Sequence, residues 1–224
     1  MPELVVVDVF CGPGHTAGNR LAVIIGGDTD PAARQQRAAE LGYSETVFID
    51  DVQRGVVDIY TPSIRLPFAG HPLVGVSWLL RARFGACDVI HSGAGAVPTW
   101  PDGEFSWVSG RPEWVTGRTT HQYASPADID ALPGPPAGTG FLYTWAWMDE
   151  AAGAVRARAF PRRGDAIVED EATGAAALQL TAELGRSLTV HQGVGSEIRT
   201  QLQPDGTIAV GGRVTLVEEP SASS

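Results

Sequence analysis

The sequence predicts an α+β protein of two similar halves, in each of which β-strands surround one buried helix. Two segments are apolar nearly all round at helical spacing, "HPLVGVSWLLRARF" in the first half and "ATGAAALQLTAELG" in the second, and such helices are buried. The many strand-like segments around them lack the regular alternation of a doubly wound sheet. The segments preceding the two helices match when Gly70 is placed on Gly174, an offset of 104 residues.

The elements of the first half are read from strand composition and helix caps. Strands rich in Val and Ile are predicted at 3–10 and 20–26, with the Gly- and Pro-rich loop "CGPGHTAGN" between them. Asp30 is an N-cap, Pro31 opens the helix "PAARQQRAAEL", and Gly42 follows its end. Further strands are predicted in "SETVFID" and "GVVDIYT", and around 87–91, 95–100 and 104–109.

The second half is predicted in the same way. The segment "LPGPPAGTG", residues 132–140, is too rich in Gly and Pro for a regular element and is a candidate linker. Strands are predicted in "GFLYTWAWM" and "AVRARAF", followed by the second buried helix and several C-terminal strands. We expect an N-terminal half over residues 1–118 and a C-terminal half over residues 119–224, with a last strand that can cross back to the first half.

Composition and charge narrow the function classes. The 224 residues are 43% hydrophobic and 19% charged, as in a globular protein, and the net charge is −10, which argues against nucleic acid as a partner. All 16 basic residues are arginine, so Schiff-base lysine chemistry and a Walker lysine are excluded. The two cysteines lie far apart and the five histidines lack metal-ligand spacing, so we expect no metal.

The N-terminal segment and the apolar runs bear on cellular location. The opening "MPELVVVDVF" has the pattern of a strand and no basic region of a signal peptide. No apolar run approaches the roughly 20 residues of a membrane span. We therefore expect a cytoplasmic protein with no membrane partner.

Chemistry-bearing residues cluster at the starts of the two buried helices. A helix that begins at glycine presents free N–H groups at the positive end of its dipole, and two such starts facing one cleft would bind a carboxylate. His71 follows Gly70, and Glu169, Asp170 and Glu171 precede the second start. Each residue also has a purely structural interpretation: the glycines allow tight turns, and the acids are N-caps or solvated neighbours.

Taken together, these motifs resemble the PhzF-like (phenazine biosynthesis-like) family, which has the diaminopimelate epimerase fold. The matching segments are "VFCGPGHTAGNRLAVII", "ELGYSETVFI", "IYTPSIRLPFAGHPLVG" and "AFPRRGDAIVEDEATGAAALQL". The resemblance implies two pseudo-symmetric halves, each with a barrel-like β-sheet around a central helix, and an active site between them. It covers most of the chain up to about residue 180.

The resemblance also implies roles for single residues. The expected catalytic residues are Glu45, His71 and Asp170. Glu45, in the family's SET motif, is the acid and base, and we expect His71 and Asp170 to orient the amino or hydroxyl group of the substrate and to be able to move the second proton. The substrate-binding positions it implies are Asn19, Gly70, Gly174 and Ala175, with the backbone at the two helix starts holding a carboxylate. The epimerases of this fold carry two catalytic cysteines where this chain has Gly70 and Gly174, so a two-thiol racemase is not expected.

The chemistry expected from these roles is a cofactor-independent isomerisation. A buried glutamate whose pKa rises toward about 6–7 can remove a proton from one carbon of a conjugated molecule and return it at another. We expect His71 to be neutral, because the helix dipole disfavours its cation. The alternatives are a non-catalytic small-molecule-binding protein and a racemase that uses Glu45 and Asp170 as its bases.

Departures from the family pattern bear on the substrate. Glu171 and Ala175 stand where the family has proline and serine, Arg65 stands where it commonly has an acid, and a late arginine is missing from "HQGVGSE". We therefore expect a small anionic substrate other than a dihydroanthranilate, from specialised metabolism such as antibiotic biosynthesis. The sequence leaves the oligomeric state open, with a homodimer as one alternative.

Overall fold

The computed structural model describes residues 2–85, 87–115, 117–137, 140–163 and 166–217. Within these ranges the chain forms four α-helices, α1 (Pro31–Leu41), α2 (Gly70–Phe84), α3 (Pro126–Asp130) and α4 (Gly174–Leu184). The strands of the first half are β1 (Glu3–Cys11), β2 (Asn19–Ile25), β3 (Glu45–Asp51), β4 (Val56–Tyr60), β5 (Arg65–Leu66), β6 (Val89–Ser92), β7 (Gly95–Asp102) and β8 (Phe105–Gly110). Those that follow are β9 (Arg118–Gln122), β10 (Phe141–Asp149), β11 (Ala154–Phe160), β12 (Arg162–Arg163), β13 (Ala166–Ile167), β14 (Leu188–Gln192), β15 (Ser196–Leu202) and β16 (Ile208–Leu216).

Eight strands close into a barrel around α2. Their order is β1-β2-β3-β4-β6-β7-β8-β16, and β16 closes the ring by pairing antiparallel with both β8 and β1. Helix α2 is buried over its first two turns and packs against β1, β8 and β16 inside the barrel. The apolar character of "HPLVGVSWLL" on all sides is thereby explained, because strands surround this helix.

A second sheet extends from β16 and covers α4. Its order is β16-β15-β14-β11-β10-β9, and α4 packs against β14, β15 and β16. Strand β16 is thus shared between the two sheets. Its first part, residues 208–212, lies between β15 and β8, and its last part, residues 213–216, pairs with β1. One hydrophobic core runs through both halves, so the two central helices are held in a fixed relation.

The cap residues of α1 act as the sequence predicts. The Asp30 carboxylate accepts a hydrogen bond from the N–H of Ala33 at 3.0 Å, and Pro31 is the first helical residue. Gly42 ends the helix with φ of 70°, a left-handed conformation that glycine adopts without strain. The predicted bounds of this helix are confirmed.

Two elements between residues 110 and 140 were not predicted from the sequence. Helix α3 is a single short turn, started by the side chain of Ser125 accepting from the N–H of Asp128, and is too short to show helical periodicity. Strand β9 reads "RTTHQ", with no apolar alternation, and forms because it pairs in parallel with β10. Of the predicted linker, residues 138 and 139 lie outside the described residues.

No helix in the described ranges is both long enough and apolar enough to cross a membrane.

Candidate active site

A cavity of about 530 Å³ opens where the starts of α2 and α4 meet. Its apolar walls include Phe68, Trp114 and Phe141. The charged and titratable side chains that line it, among the described residues, are Glu45, His71, Arg118 and Asp170. Gly70, Gly174 and Ala175 also line it, so six of the seven residues singled out from the sequence face one space.

The two helix starts approach each other closely at their glycines. A methyl group on Gly70 would lie 3.3 Å from the carbonyl carbon of Gly174, and one on Gly174 would lie 2.9 Å from Cζ of the buried Phe10. The first N–H groups of a helix have no acceptor within that helix, and here both sets line the cavity. The site therefore favours an anion and leaves no space for a thiol side chain at position 174 unless Phe10 moves.

Glu45 and His71 form a hydrogen-bonded pair at the cavity wall. Glu45 is the first residue of β3 and His71 the second of α2, and Glu45 Oε2 lies 2.9 Å from His71 Nδ1. The other ring nitrogen, Nε2, lies 3.0 Å from the carbonyl oxygen of Asn19. Because a carbonyl only accepts, Nε2 carries a hydrogen. The Glu45–His71 pair consequently shares the proton that lies between Oε2 and Nδ1.

The pKa of His71 lies above its ordinary value. Burial of the ring lowers the pKa, but the hydrogen bond and charge of Glu45 raise it, together with the charge of Asp170 and the Asn19 carbonyl. This shift is opposite to the one that we expected from the helix dipole, which disfavours the cation of the ring. A carboxylate at 2.9 Å outweighs the partial charge of a helix terminus.

Asp170 is held by donors on both carboxylate oxygens. Oδ1 accepts from Asn19 Nδ2 at 2.9 Å and from Ser44 Oγ at 3.2 Å, and Oδ2 accepts from Thr173 Oγ1 at 2.6 Å. Its backbone is fixed by a bridge to Ala159. Since hydrogen bonds to a carboxylate favour its ionised form, Asp170 is suited to orienting a ligand more than to exchanging a proton.

Asn19 lies behind the cavity wall and connects His71 to the segment that contains Asp170. Its amide nitrogen donates to Asp170 Oδ1 and to the carbonyl of Ala172, both at 2.9 Å, while its own carbonyl accepts from His71. The side chain is buried. We predicted that Asn19 contacts the substrate directly. The structure instead directs both of its amide hydrogens at protein acceptors.

The three consecutive acids before α4 have three different environments. Glu169 forms an ion pair with Arg158 at 2.7 Å on the half-exposed surface. Glu171 accepts from the N–H of Val194 at 3.0 Å and from Ser196 Oγ at 2.9 Å, so it fixes the turn before β15. Asp170 alone of the three lines the cavity.

Sequence reasoning missed four residues of the site. Ser44 and Thr173 contact Asp170, and both lie inside the quoted motifs, which could have pointed to them. Gln192 donates to the Asp170 carbonyl at 2.9 Å and accepts from the N–H of Thr173 at 3.3 Å. Gln192 lies in the quoted segment "HQGVGSE", which could have pointed to it, whereas for Arg118 only the fold brings the side chain to the site.

The described residues place no thiol in the cavity and form no group of metal ligands. In the described part of the chain, no three His, Cys, Asp or Glu side chains are placed to hold a metal ion. Cys11 and Cys87 are buried and do not line the cavity. Burial and the nearby Asp8 raise the pKa of Cys11 to about 11, so its thiol is not activated.

The family model of the phenazine biosynthesis-like proteins matches residues 7–104. The trans-2,3-dihydro-3-hydroxyanthranilate isomerase of Pseudomonas fluorescens is 38% identical over 87 residues, which are 37% of this chain and 31% of the relative. The resemblance to the phenazine biosynthesis-like family is confirmed. The match thus spans about a third of the curated relative, and the Asp170 motif of this chain lies beyond the range that the family model matches.

Solved structures extend the likeness of the fold over the whole chain. A predicted epimerase of Pseudomonas aeruginosa has a TM-score of 0.71 at 24% identity and covers 100% of both chains. A phenazine biosynthesis protein of the PhzF family from Enterococcus faecalis has a TM-score of 0.70 at 17% identity, covering 97% of this chain and 96% of its own. The predicted α+β, epimerase-like fold is confirmed.

Proposed function

We propose that this protein is a cofactor-independent isomerase that moves a proton within a small conjugated carboxylate, with Glu45 as both acid and base. The observation that carries the proposal is the Glu45–His71 pair, which shares a proton at the wall of a cavity that favours anions. Isomerase names among the curated relatives support the same reaction class.

In the proposed reaction, the substrate carboxylate binds the N–H groups at the starts of α2 and α4. His71 occupies Oε2 of Glu45, so Oε1 is the atom that exchanges the proton. Glu45 Oε1 takes a proton from a carbon next to the π system, and the C–H electron pair shifts the double bond. The same oxygen returns the proton to the far end of the system on the same face.

His71 and Asp170 have supporting roles in this proposal. Positive charge on His71 beside Glu45 stabilises the glutamate anion before proton transfer, and the shared proton gives Glu45 a reserve donor. Asp170, held by three donors, presents a fixed acceptor to an amino or hydroxyl group of the substrate. The proton transfer itself needs neither a metal nor an organic cofactor.

The substrate class is a small carboxylate of specialised metabolism. Trans-2,3-dihydro-3-hydroxyanthranilate, named in the relative from Pseudomonas fluorescens, is the natural first candidate to test. Glu171 and Ala175 depart from the family's motif at the start of α4, and Ala175 lines the cavity. We therefore propose that the preferred substrate differs from that compound in the group that faces Ala175.

The test is isomerisation in deuterated water, with candidate carboxylates and product analysis by NMR. The proposal expects deuterium at a carbon that carried no exchangeable proton in the substrate, together with a moved double bond. Deuterium at a single stereocentre without a shift of the double bond would indicate a racemase. Tight binding without any label would indicate a non-catalytic binding protein.

A further inference from the structure

Arg118 is a cavity-lining residue to which the proposed reaction assigns no role. It is the first residue of β9, and its guanidinium lies 4.9 Å from the ring centre of Phe141. Its Nη1 donates to the carbonyl of Val115 at 2.7 Å. Phe141 and Trp114 line the same cavity, so the guanidinium lies among the aromatic residues of the wall.

The backbone of Arg118 is fixed from two sides. Residue 118 pairs with Phe141 across the parallel β9–β10 ladder. Its carbonyl accepts from Nε2 of Gln179 on α4 at 3.0 Å. Because the strand and the helix both hold this residue, its side chain enters the cavity from a defined position, as a specific binding contact requires.

The negative charges in the cavity indicate why the binding of an anion needs the positive charge of Arg118. Two carboxylates, Glu45 and Asp170, face the space that an anionic substrate must enter, and both repel it. Burial lowers the pKa of Arg118 and the charges of these two acids raise it, yet an arginine keeps its charge throughout the physiological range. A guanidinium withdrawn from water binds an anion more strongly than one at the surface.

We propose that Arg118 binds the substrate carboxylate together with the N–H groups at the two helix starts and contributes most of the selectivity of this cavity for anions, with the neighbouring rings contacting the planar part of the molecule. The inference rests on the proposed function, because it assigns a residue to the recognition of the same substrate class. Arg118 is here a substrate-binding residue and takes no part in proton transfer.

The test compares the binding of benzoate and of benzamide by isothermal titration calorimetry, since these probes share a planar ring and differ in charge. Wild-type protein is expected to bind benzoate about 10- to 100-fold more tightly than benzamide, the range for one charge-assisted contact. Arg118→Gln is expected to lose most of this preference, and Arg118→Lys to retain part of it.

Arg111→Gln is the matched control, because Arg111 carries the same charge near the cavity but is exposed, over the ring of Trp114, and does not line the cavity. It should keep the preference for benzoate. The proposal is overturned if wild-type protein does not bind benzoate, if Arg118→Gln keeps the preference, or if Arg111→Gln loses it equally. If circular dichroism shows that Arg118→Gln does not fold, Arg118→Lys is used instead. A preference for benzoate over benzamide in Arg118→Lys equal to that of the wild-type protein would then contradict the proposal.

Binding is measured without turnover, so this test can fail independently of the proposed isomerase activity. Glu45→Gln should still prefer benzoate, because Glu45 exchanges a proton and does not bind the anion. If wild-type protein prefers benzoate but isomerises none of the candidate carboxylates, the proposed function alone is contradicted. If wild-type protein isomerises a carboxylate but shows no preference for benzoate, the role of Arg118 alone is contradicted.

Discussion

The two carboxylates beside the helix starts differ in how completely the protein satisfies them. Glu45, beside α2, forms one pair through Oε2 with His71, and its side chain is 18% exposed. Asp170, before α4, accepts hydrogen bonds from Asn19, Ser44 and Thr173 on its two oxygens. A proton carrier needs an accessible oxygen and a partner that titrates, whereas an orienting group needs fixed geometry. Glu45 has the features of a proton carrier, and Asp170 has those of an orienting group.

Replacement of Glu45 by glutamine is expected to have the largest effect. The amide keeps the size of the side chain but cannot carry a proton, so kcat should fall by about 10²–10⁴-fold while KM changes little. Steady-state kinetics on the substrate identified by deuterium labelling would measure both kcat and KM. Glu40→Gln on the exposed face of α1 is the control with the same chemical change. Near-normal kcat in Glu45→Gln would show that Glu45 is not the base.

Replacement of Asp170 by asparagine is expected to act mainly on stability and KM. The new NH₂ group would face one of the present donors, leaving buried polar groups unpaired at a cost of about 1–3 kcal/mol in the free energy of unfolding. Urea unfolding followed by circular dichroism measures this cost. Glu169→Gln, one residue away, alters a half-exposed ion pair with Arg158 and should cost less than Asp170→Asn, because the Glu169 side chain remains in contact with water. Equal costs for Asp170→Asn and Glu169→Gln would show that the hydrogen bonds of Asp170 do not stabilise the fold more than the ion pair of Glu169 does.

The pH dependence of stability gives the smallest expected effect and isolates the Glu45–His71 pair. Because the folded-state pKa of His71 is raised, its contribution to stability is full below the unfolded pKa of about 6.5 and is lost as pH rises through the folded value. Wild-type protein should therefore lose stability relative to His71→Asn across that range, measured as unfolding free energy in urea.

Glu45→Gln sharpens this pH experiment. It removes the neighbouring charge that raises the pKa of His71 and leaves the burial that lowers it, so the ring should titrate at lower pH, as followed by NMR of its Cε1 proton. A His71 pKa unchanged in Glu45→Gln would mean that the pair does not share a proton.

Local sequence was sufficient for elements with strong cap and burial signals. Asp30, Pro31 and Gly42 define α1 because capping depends only on neighbouring residues. The all-round apolar pattern of α2 predicts burial for the same reason, since only a surrounding sheet can cover every face of a helix. Glu45, His71 and Asp170 could be grouped from motifs, although each motif alone has a structural explanation.

Tertiary structure alone decided how these residues act on one another. The proton shared by Glu45 and His71, and with it the raised pKa of the imidazole, arises because β3 and α2 bring residues 26 positions apart to 2.9 Å. Arg118 reaches the site through β9, whose polar sequence carries no signal of a site. Gln192 lies in the quoted segment "HQGVGSE", but only the position of β14 shows that its side chain holds Asp170. Hydrogen bonding and charge act over a few ångströms in space, and local sequence patterns do not determine which distant residues meet at that range.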